Sequence, residues 1–145
     1  MQIDAYSFPE DRHYWLRDDM WCLHVRRDVD DTVTIGITSF GLHLSGDIFM
    51  CRPKRVGTAV KQGETMGVVE LSKSVVTIKS PATGEIIEVN PRLAAEPEII
   101  QQDPYGEGWL ARMRATRWID DCAALAHGVD LNAAMLERIR LEPAA

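Results

Sequence analysis

Hydrophobic and polar positions alternate most clearly in Thr32-Val33-Thr34-Ile35-Gly36-Ile37-Thr38. There Val33, Ile35 and Ile37 repeat with the period of two that marks a half-buried strand. Before it, residues 21–27 (Trp-Cys-Leu-His-Val-Arg-Arg) read as a first strand, and Asp28-Val29-Asp30-Asp31 as the turn between the two, since Asp favours turn geometry. After it, Ser39 is placed to cap a single helical turn through Leu42 and Leu44 that ends at Gly46. From 47 to 90 short apolar runs alternate with turn signals. Ile48-Phe49-Met50-Cys51, Met66 to Leu71, Val75 to Ile78 and Glu85 to Val89 are expected strands. Pro53 to Gly57, Gly63-Glu64, Ser72-Lys73-Ser74 and Pro81-Ala82-Thr83-Gly84 interrupt them. Residues 91–103 read as a short helix or wound loop, and Trp109 to Arg114 as another strand. The spacing then becomes helical. Residues 117–127 form one amphipathic piece stopped by Gly128, and Asp130 caps a second helix whose Leu131, Met135, Leu136 and Ile139 share a core-facing side. Residues 1–20 carry Pro9 and many charges, and read as an irregular segment packed onto the body by Tyr6, Phe8, Tyr14 and Trp15. The expected class is mainly β with peripheral helices, its short strands making a small sandwich or barrel.

Composition narrows what such a fold could do. The chain has 145 residues, 46% hydrophobic and 26% charged, the size and balance of one globular domain, so a multidomain enzyme is not expected. The net charge of −6 argues against nucleic-acid binding, which needs a basic face. No apolar run approaches the roughly 20 residues of a membrane helix. Met1 to Tyr6 has neither a basic head nor an apolar stretch, so no signal peptide is expected and the cytoplasm is the expected compartment. Cys22, Cys51 and Cys122 are too few and too widely spaced for a disulfide framework or a zinc knuckle. They read as buried small hydrophobes, with a thiol role in sulfur chemistry as the sharper alternative. His13, His24, His43 and His127 are scattered. His24 and Cys22 would share a strand face, but two ligands do not make a metal site, and none is expected.

The residue that asks for an explanation is Lys73, one of only four lysines with Lys54, Lys61 and Lys79. It lies between the β-prone runs around Val68-Val69 and Val75-Val76, joined by so short a link that they must make a hairpin. A lysine at that tip projects away from the core. It lacks the burial or cationic neighbour that would lower its pKa for Schiff-base chemistry. An exposed, rigid tip favours access by a modifying enzyme; a charged residue that merely keeps the turn soluble is the plain alternative.

The wider pattern chooses between these. Gly67 six residues before the lysine, Glu70 three before it, and Pro81 and Gly84 after the return strand resemble the lipoyl- and biotinyl-carrier fold. Biotin carriers usually have methionines on both sides of the lysine; here Ser72 and Ser74 stand there, which favours lipoate. The resemblance extends through Thr34 to Thr38, Gly46-Asp47-Ile48, Gly57 to Gly63, Glu85 to Asn90, Leu93, Pro97 and Tyr105-Gly106-Glu107-Gly108-Trp109-Leu110. Over roughly residues 32–141 the chain is similar to the H-protein of the glycine cleavage system.

The resemblance implies a barrel-sandwich hybrid of two small antiparallel sheets plus C-terminal helices. The chain would be one H-protein-like lipoyl domain over 1–145, with its core at about 32–114 and helices at about 117–141. It implies lipoate in amide linkage to Lys73, flanked by Glu70, Ser72 and Ser74, on an arm reaching roughly 14 Å from the backbone. It also implies a carrier without catalytic residues of its own, since the cofactor does the chemistry and the protein positions it. Glu70 could then interact with a loaded group or be a solvated charge. A lipoate ligase or lipoyl transferase would attach the arm. Two partner sets are open: glycine decarboxylase, aminomethyltransferase and dihydrolipoyl dehydrogenase, or heterodisulfide-reductase-like sulfur-oxidising enzymes. The H-protein pattern is usually Glu-Ser-Val-Lys-Ala, and here it is Glu70-Leu71-Ser72-Lys73-Ser74. The usual His-Glu-Trp run is replaced by Met20-Trp21-Cys22-Leu23-His24, and Gln101 stands where an asparagine is expected. These departures resemble the lipoate-binding proteins of the heterodisulfide-reductase-like sulfur-oxidation system, which makes that pathway the first expectation and glycine cleavage the second. An unmodified β-rich adaptor and an enzyme with its own site are the rival classes.

Overall fold

A computed structural model describes residues 1–17 and 21–141. Residues 18–20, which close the expected irregular segment and include Met20 of the Met20-Trp21 run, lie outside the described residues, as do 142–145. The strands in chain order are β1 (Gln2–Ile3), β2 (Tyr6–Ser7), β3 (His13–Trp15), β4 (Leu23–Arg27), β5 (Thr32–Ile37), β6 (Ile48–Pro53), β7 (Ala59–Val60), β8 (Thr65–Leu71), β9 (Val75–Lys79), β10 (Gly84–Val89) and β11 (Ala111–Ala115). The helices are α1 (Ser39–Ser45), α2 (Ile99–Gln102), α3 (Trp118–Asp121) and α4 (Val129–Leu141).

The strands build a six-stranded sheet in the order β3-β4-β5-β11-β10-β7 and a three-stranded sheet in the order β6-β8-β9, with β1 and β2 a separate ribbon. Every pairing is antiparallel. The expected two antiparallel sheets are present, one twice the size of the other, with the ribbon added beside them. The two larger sheets share one core. Val33, Ile35, Ile37, Ile86 and Met113 of the first meet Ile48, Cys51, Val69, Leu71 and Ile78 of the second. Trp21 ties them together, its indole N–H donating to the Thr77 carbonyl at 3.1 Å. Strand β5 is buried on both faces rather than one, because Thr34 is covered by Asp28 and Arg112 and Gly36 by His24.

Among its described residues, 1–17, the N-terminal segment is not wholly irregular but carries three short strands. His13–Trp15 pairs with β4, and Tyr14 exchanges two backbone hydrogen bonds with Ala126, at 2.9 Å each. Strands of two or three residues are too short to show a period, so their rings were the only visible signal. Phe8, Tyr14, Phe40, Cys22, Leu131 and Met135 make a second core on which this segment and α4 close.

The helical elements also depart from expectation. The cap of α1 is Thr38, one residue earlier than Ser39. Its Oγ1 accepts from Gly41 N at 3.0 Å and donates to the Cys22 carbonyl at 2.8 Å, and Gly46 (φ 70°) ends the helix after seven residues. Residues 117–127 are not one helix. They form α3 and a 3₁₀ turn, Cys122–Ala124, then run extended at Ala126, whose backbone is claimed by Tyr14. Asp130 lies inside the first turn of α4 rather than capping it. Leu131 and Met135 are buried as expected and Ile139 packs against the second core. Leu136 is 50% exposed, since the buried stripe is narrower than the apolar one.

Candidate functional site

Strand β8 is central in its sheet, paired with β6 on one side and β9 on the other. Glu70 pairs with Val75, and the Leu71 N–H donates to the Ser74 carbonyl at 2.8 Å, so the chain reverses over Ser72 and Lys73. Leu71 and Val69 are buried, which fixes the register: a slip of one residue would expose both. Anchored this way, Ser72, Lys73 and Ser74 are all exposed. Among the described residues Lys73 has no hydrogen-bond or ion-pair partner. Its ammonium therefore extends into solvent from a backbone held on both sides by sheet pairing. The other lysines differ. Lys79 is half-buried with its ammonium 3.4 Å from Thr65 Oγ1, and Lys54 and Lys61 sit on connecting segments rather than at a hairpin end.

The outward face of this sheet at the lysine end carries side chains from three strands. Met50 pairs with Glu70 and Glu70 with Val75, forming one row across β6, β8 and β9. Between Ile48 and Met50 the register shifts, so Phe49 is an extra residue, a bulge opposite Leu71 and Glu70. The bulge turns the ring outward: Phe49 is 57% exposed and Val75 64%. Glu70 is exposed between them, without a hydrogen-bond or ion-pair partner among the described residues. Glu70, Ser72 and Ser74 were legible beside Lys73 in the sequence. Phe49 and Met50 were not, because their approach depends on strand order and on one bulge.

The remaining candidates sit elsewhere. His24 is buried on β4, with its Nε2–H donating to the Pro104 carbonyl at 2.8 Å and its Nδ1 accepting from Arg12 Nη1 at 3.2 Å. Burial first, and the Arg12 guanidinium second, push its pKa down to about 3. It borders a polar pocket of about 300 Å³ with Arg12, Arg26, Thr34, Tyr105 and Arg112. Cys22 lies on the same side as His24, away from the core that Leu23 and Val25 fill, but its Sγ turns into the second core, 3.9 Å from Met135 Sδ, so the two do not form a ligand pair. Burial pushes the Cys22 and Cys51 thiols up to about 12, which keeps them protonated. His13 and His127 stack with ring centroids 4.2 Å apart. Among the described residues no three metal-ligating side chains converge.

Comparison with known proteins gives a consistent picture. The family model described as glycine cleavage H-protein matches residues 13–137. The chain is 42% identical over 108 residues to the glycine cleavage system H protein of Marinobacter nauticus, covering 74% of this chain and 80% of that one. It is 40% identical over 119 residues to the corresponding protein of Mycobacterium tuberculosis, covering 82% and 84%. Glycine cleavage system H protein 5 of Aquifex aeolicus is 35% identical over 113 residues, covering 78% and 76%. Among solved structures, a glycine cleavage system H protein from Mycobacterium marinum superposes with a TM-score of 0.65 at 36% identity, covering 75% of this chain and 87% of that one. The fold is accordingly the barrel-sandwich of that neighbour. The relatives carry glycine cleavage names, which reverses the order in which the sequence ranked the two pathways.

Proposed function

The chain belongs to the glycine cleavage H-protein family, and from that premise we propose that Lys73 bears its lipoate and that the protein carries the aminomethyl group of glycine cleavage. It is a non-catalytic lipoyl carrier: H-proteins of this family hold lipoate covalently on a lysine. When bound, the dithiolane supplies a redox-active pair of sulfurs that can hold a group or two electrons. The chain's own residues supply a place to stand. One observation carries the choice of lysine: Lys73 is exposed, unpaired among the described residues, and seated at the end of a hairpin whose two strands are locked by buried Val69, Leu71 and Ile78. Ser72 and Ser74 flank it with small uncharged side chains that leave its amine accessible. Tethered to that hairpin end, the arm sweeps a defined volume in front of it, which raises its effective concentration at a docked active site.

The implied partners are glycine decarboxylase, aminomethyltransferase and dihydrolipoyl dehydrogenase, with a lipoate ligase or lipoyl transferase attaching the arm. A match over residues 13–137 supports treating the chain as one H-protein-like unit. Among the described residues no helix is long and apolar enough to cross a membrane, and a cytoplasmic setting suits these partners. One observation favours a second reading, in heterodisulfide-reductase-like sulfur oxidation: Leu71, Ser72 and Ser74 depart from the usual residues around the H-protein lysine. Reconstitution separates the two. With the three glycine cleavage enzymes, the lipoylated protein is expected to support glycine-dependent release of carbon dioxide that falls to background without it. Lipoylated protein that those enzymes ignore, but that binds heterodisulfide-reductase-like subunits, would reverse the order.

A further inference from the structure

Eight large apolar side chains are exposed among the described residues, and two of them, Phe49 and Val75, flank Glu70 beside the Lys73 hairpin. Their placement is not a by-product of strand alternation alone. Without the bulge at Phe49, β6 would put one outward residue opposite Glu70; with it, both Phe49 and half-buried Met50 stand there. The face bordering the arm thus presents an aromatic ring, a thioether and a branched aliphatic group around one carboxylate. Phe49 is more than half exposed, and among the described residues Glu70 has no hydrogen-bond or ion-pair partner. Arg52, two residues after Met50 on β6, stands one row further on, opposite Val68.

We propose that the Phe49–Glu70–Val75 face is a docking surface for the enzyme that loads the arm. That partner's complementary surface has an apolar pocket for the Phe49 ring and a guanidinium or ammonium group for the Glu70 carboxylate, beside the entrance that admits the lysine. The inference rests on the reading of Lys73 as the arm-bearing residue. The occupant follows from continuity and charge. An enzyme that receives an arm rooted at Lys73 must cover the hairpin end, and this row begins at the residues that form it. An exposed aromatic ring is the kind of group that anchors interfaces, and an unpaired carboxylate at its centre selects a basic partner group and supplies orientation.

The test uses lipoylated protein, with modification at Lys73 verified by mass, and glycine decarboxylase as the probe. Binding is read by isothermal titration and loading by steady-state kinetics. Phe49→Ser is expected to raise Kd by about tenfold or more while kcat at saturation stays within about twofold. Glu70→Gln is expected to weaken binding less and to flatten its dependence on salt. Ile119→Ser serves as the control. Ile119 is also exposed, but lies on α3, which is bonded through Asp121 to Thr83 and Gln62 near the opposite ends of β8 and β9. Folded, lipoylated Phe49→Ser protein that binds as the unaltered protein does would overturn the docking surface, as would equal weakening by Ile119→Ser. If the unaltered protein is never modified at Lys73, or does not bind at all, the functional reading fails first and takes this inference with it.

Discussion

Two side chains show how differently one charge type is handled in this molecule. Lys73 keeps its ammonium in water, whereas the Arg12 guanidinium is 7% exposed and is shared among Asp11, His24 Nδ1 and the Tyr105 carbonyl. The second arrangement forces His24 to be neutral in the folded state. The ring fits because Gly36, across the strand pair, has no side chain: a Cβ there would lie 2.4 Å from His24 Nε2. With a folded pKa near 3 and an unfolded value of about 6.5, the unfolded chain takes up a proton between those limits that the folded protein refuses. This contribution to stability is therefore complete above about pH 6.5 and is lost as pH falls towards 3, by at most about 1.4 kcal/mol per pH unit. Chemical denaturation at pH 7 and pH 4.5 should show a loss of up to about 2–3 kcal/mol from this group. His24→Gln should be less stable at pH 7 yet show a correspondingly smaller loss on acidification. An unchanged pH dependence would mean that His24 is not held neutral. None of this was legible in the sequence, where His24 was one of four scattered histidines, its partner Pro104 lies 80 residues on, and Arg12 reaches it only through the pairing of β3 with β4.

At the scale of elements, buried periodicity carried most of the prediction. The strands around Val33-Ile35-Ile37, Met66 to Leu71 and Val75 to Ile78 fall where their apolar residues place them, because each has one face closing the same core. Errors gather where a terminus or a shared residue decides. The cap of α1 belongs to Thr38 because that hydroxyl already bonds the Cys22 carbonyl, which holds its oxygen toward the first turn of the helix. Thr38→Ala should cost about 1–2 kcal/mol in denaturant stability, the usual value of a lost cap. Ser39→Ala should stay within about 0.5 kcal/mol, since that side chain makes only longer bonds at 3.3 and 3.4 Å near the surface. The reverse ranking would restore Ser39 as the cap. The broken helix at 117–127 has the same kind of cause. Its sequence suits a helix, but pairing of Ala126 with Tyr14 in the N-terminal strand takes precedence.

The whole molecule is a small sandwich with a second core attached, and its Lys73 hairpin was more legible than its closure. The hairpin at Lys73 could be read because two β-prone runs with a three-residue link leave little choice, and because glycines and prolines mark the turns beyond it. The second core could not, since it joins residues near both ends of the chain: Ile3 and Phe8 meet Leu131 and Met135. Pathway was least legible: the flanks of Lys73 pointed to sulfur oxidation first, whereas the relatives carry glycine cleavage names. The most direct test of the account is intact and peptide mass spectrometry after incubation with a lipoate ligase, ATP and lipoate. The account predicts one lipoyl group, located on the peptide containing Lys73, absent from Lys73→Arg and retained when Lys54, Lys61 or Lys79 is changed to arginine. A folded protein that gains no lipoyl group, or gains it at another lysine, would contradict it.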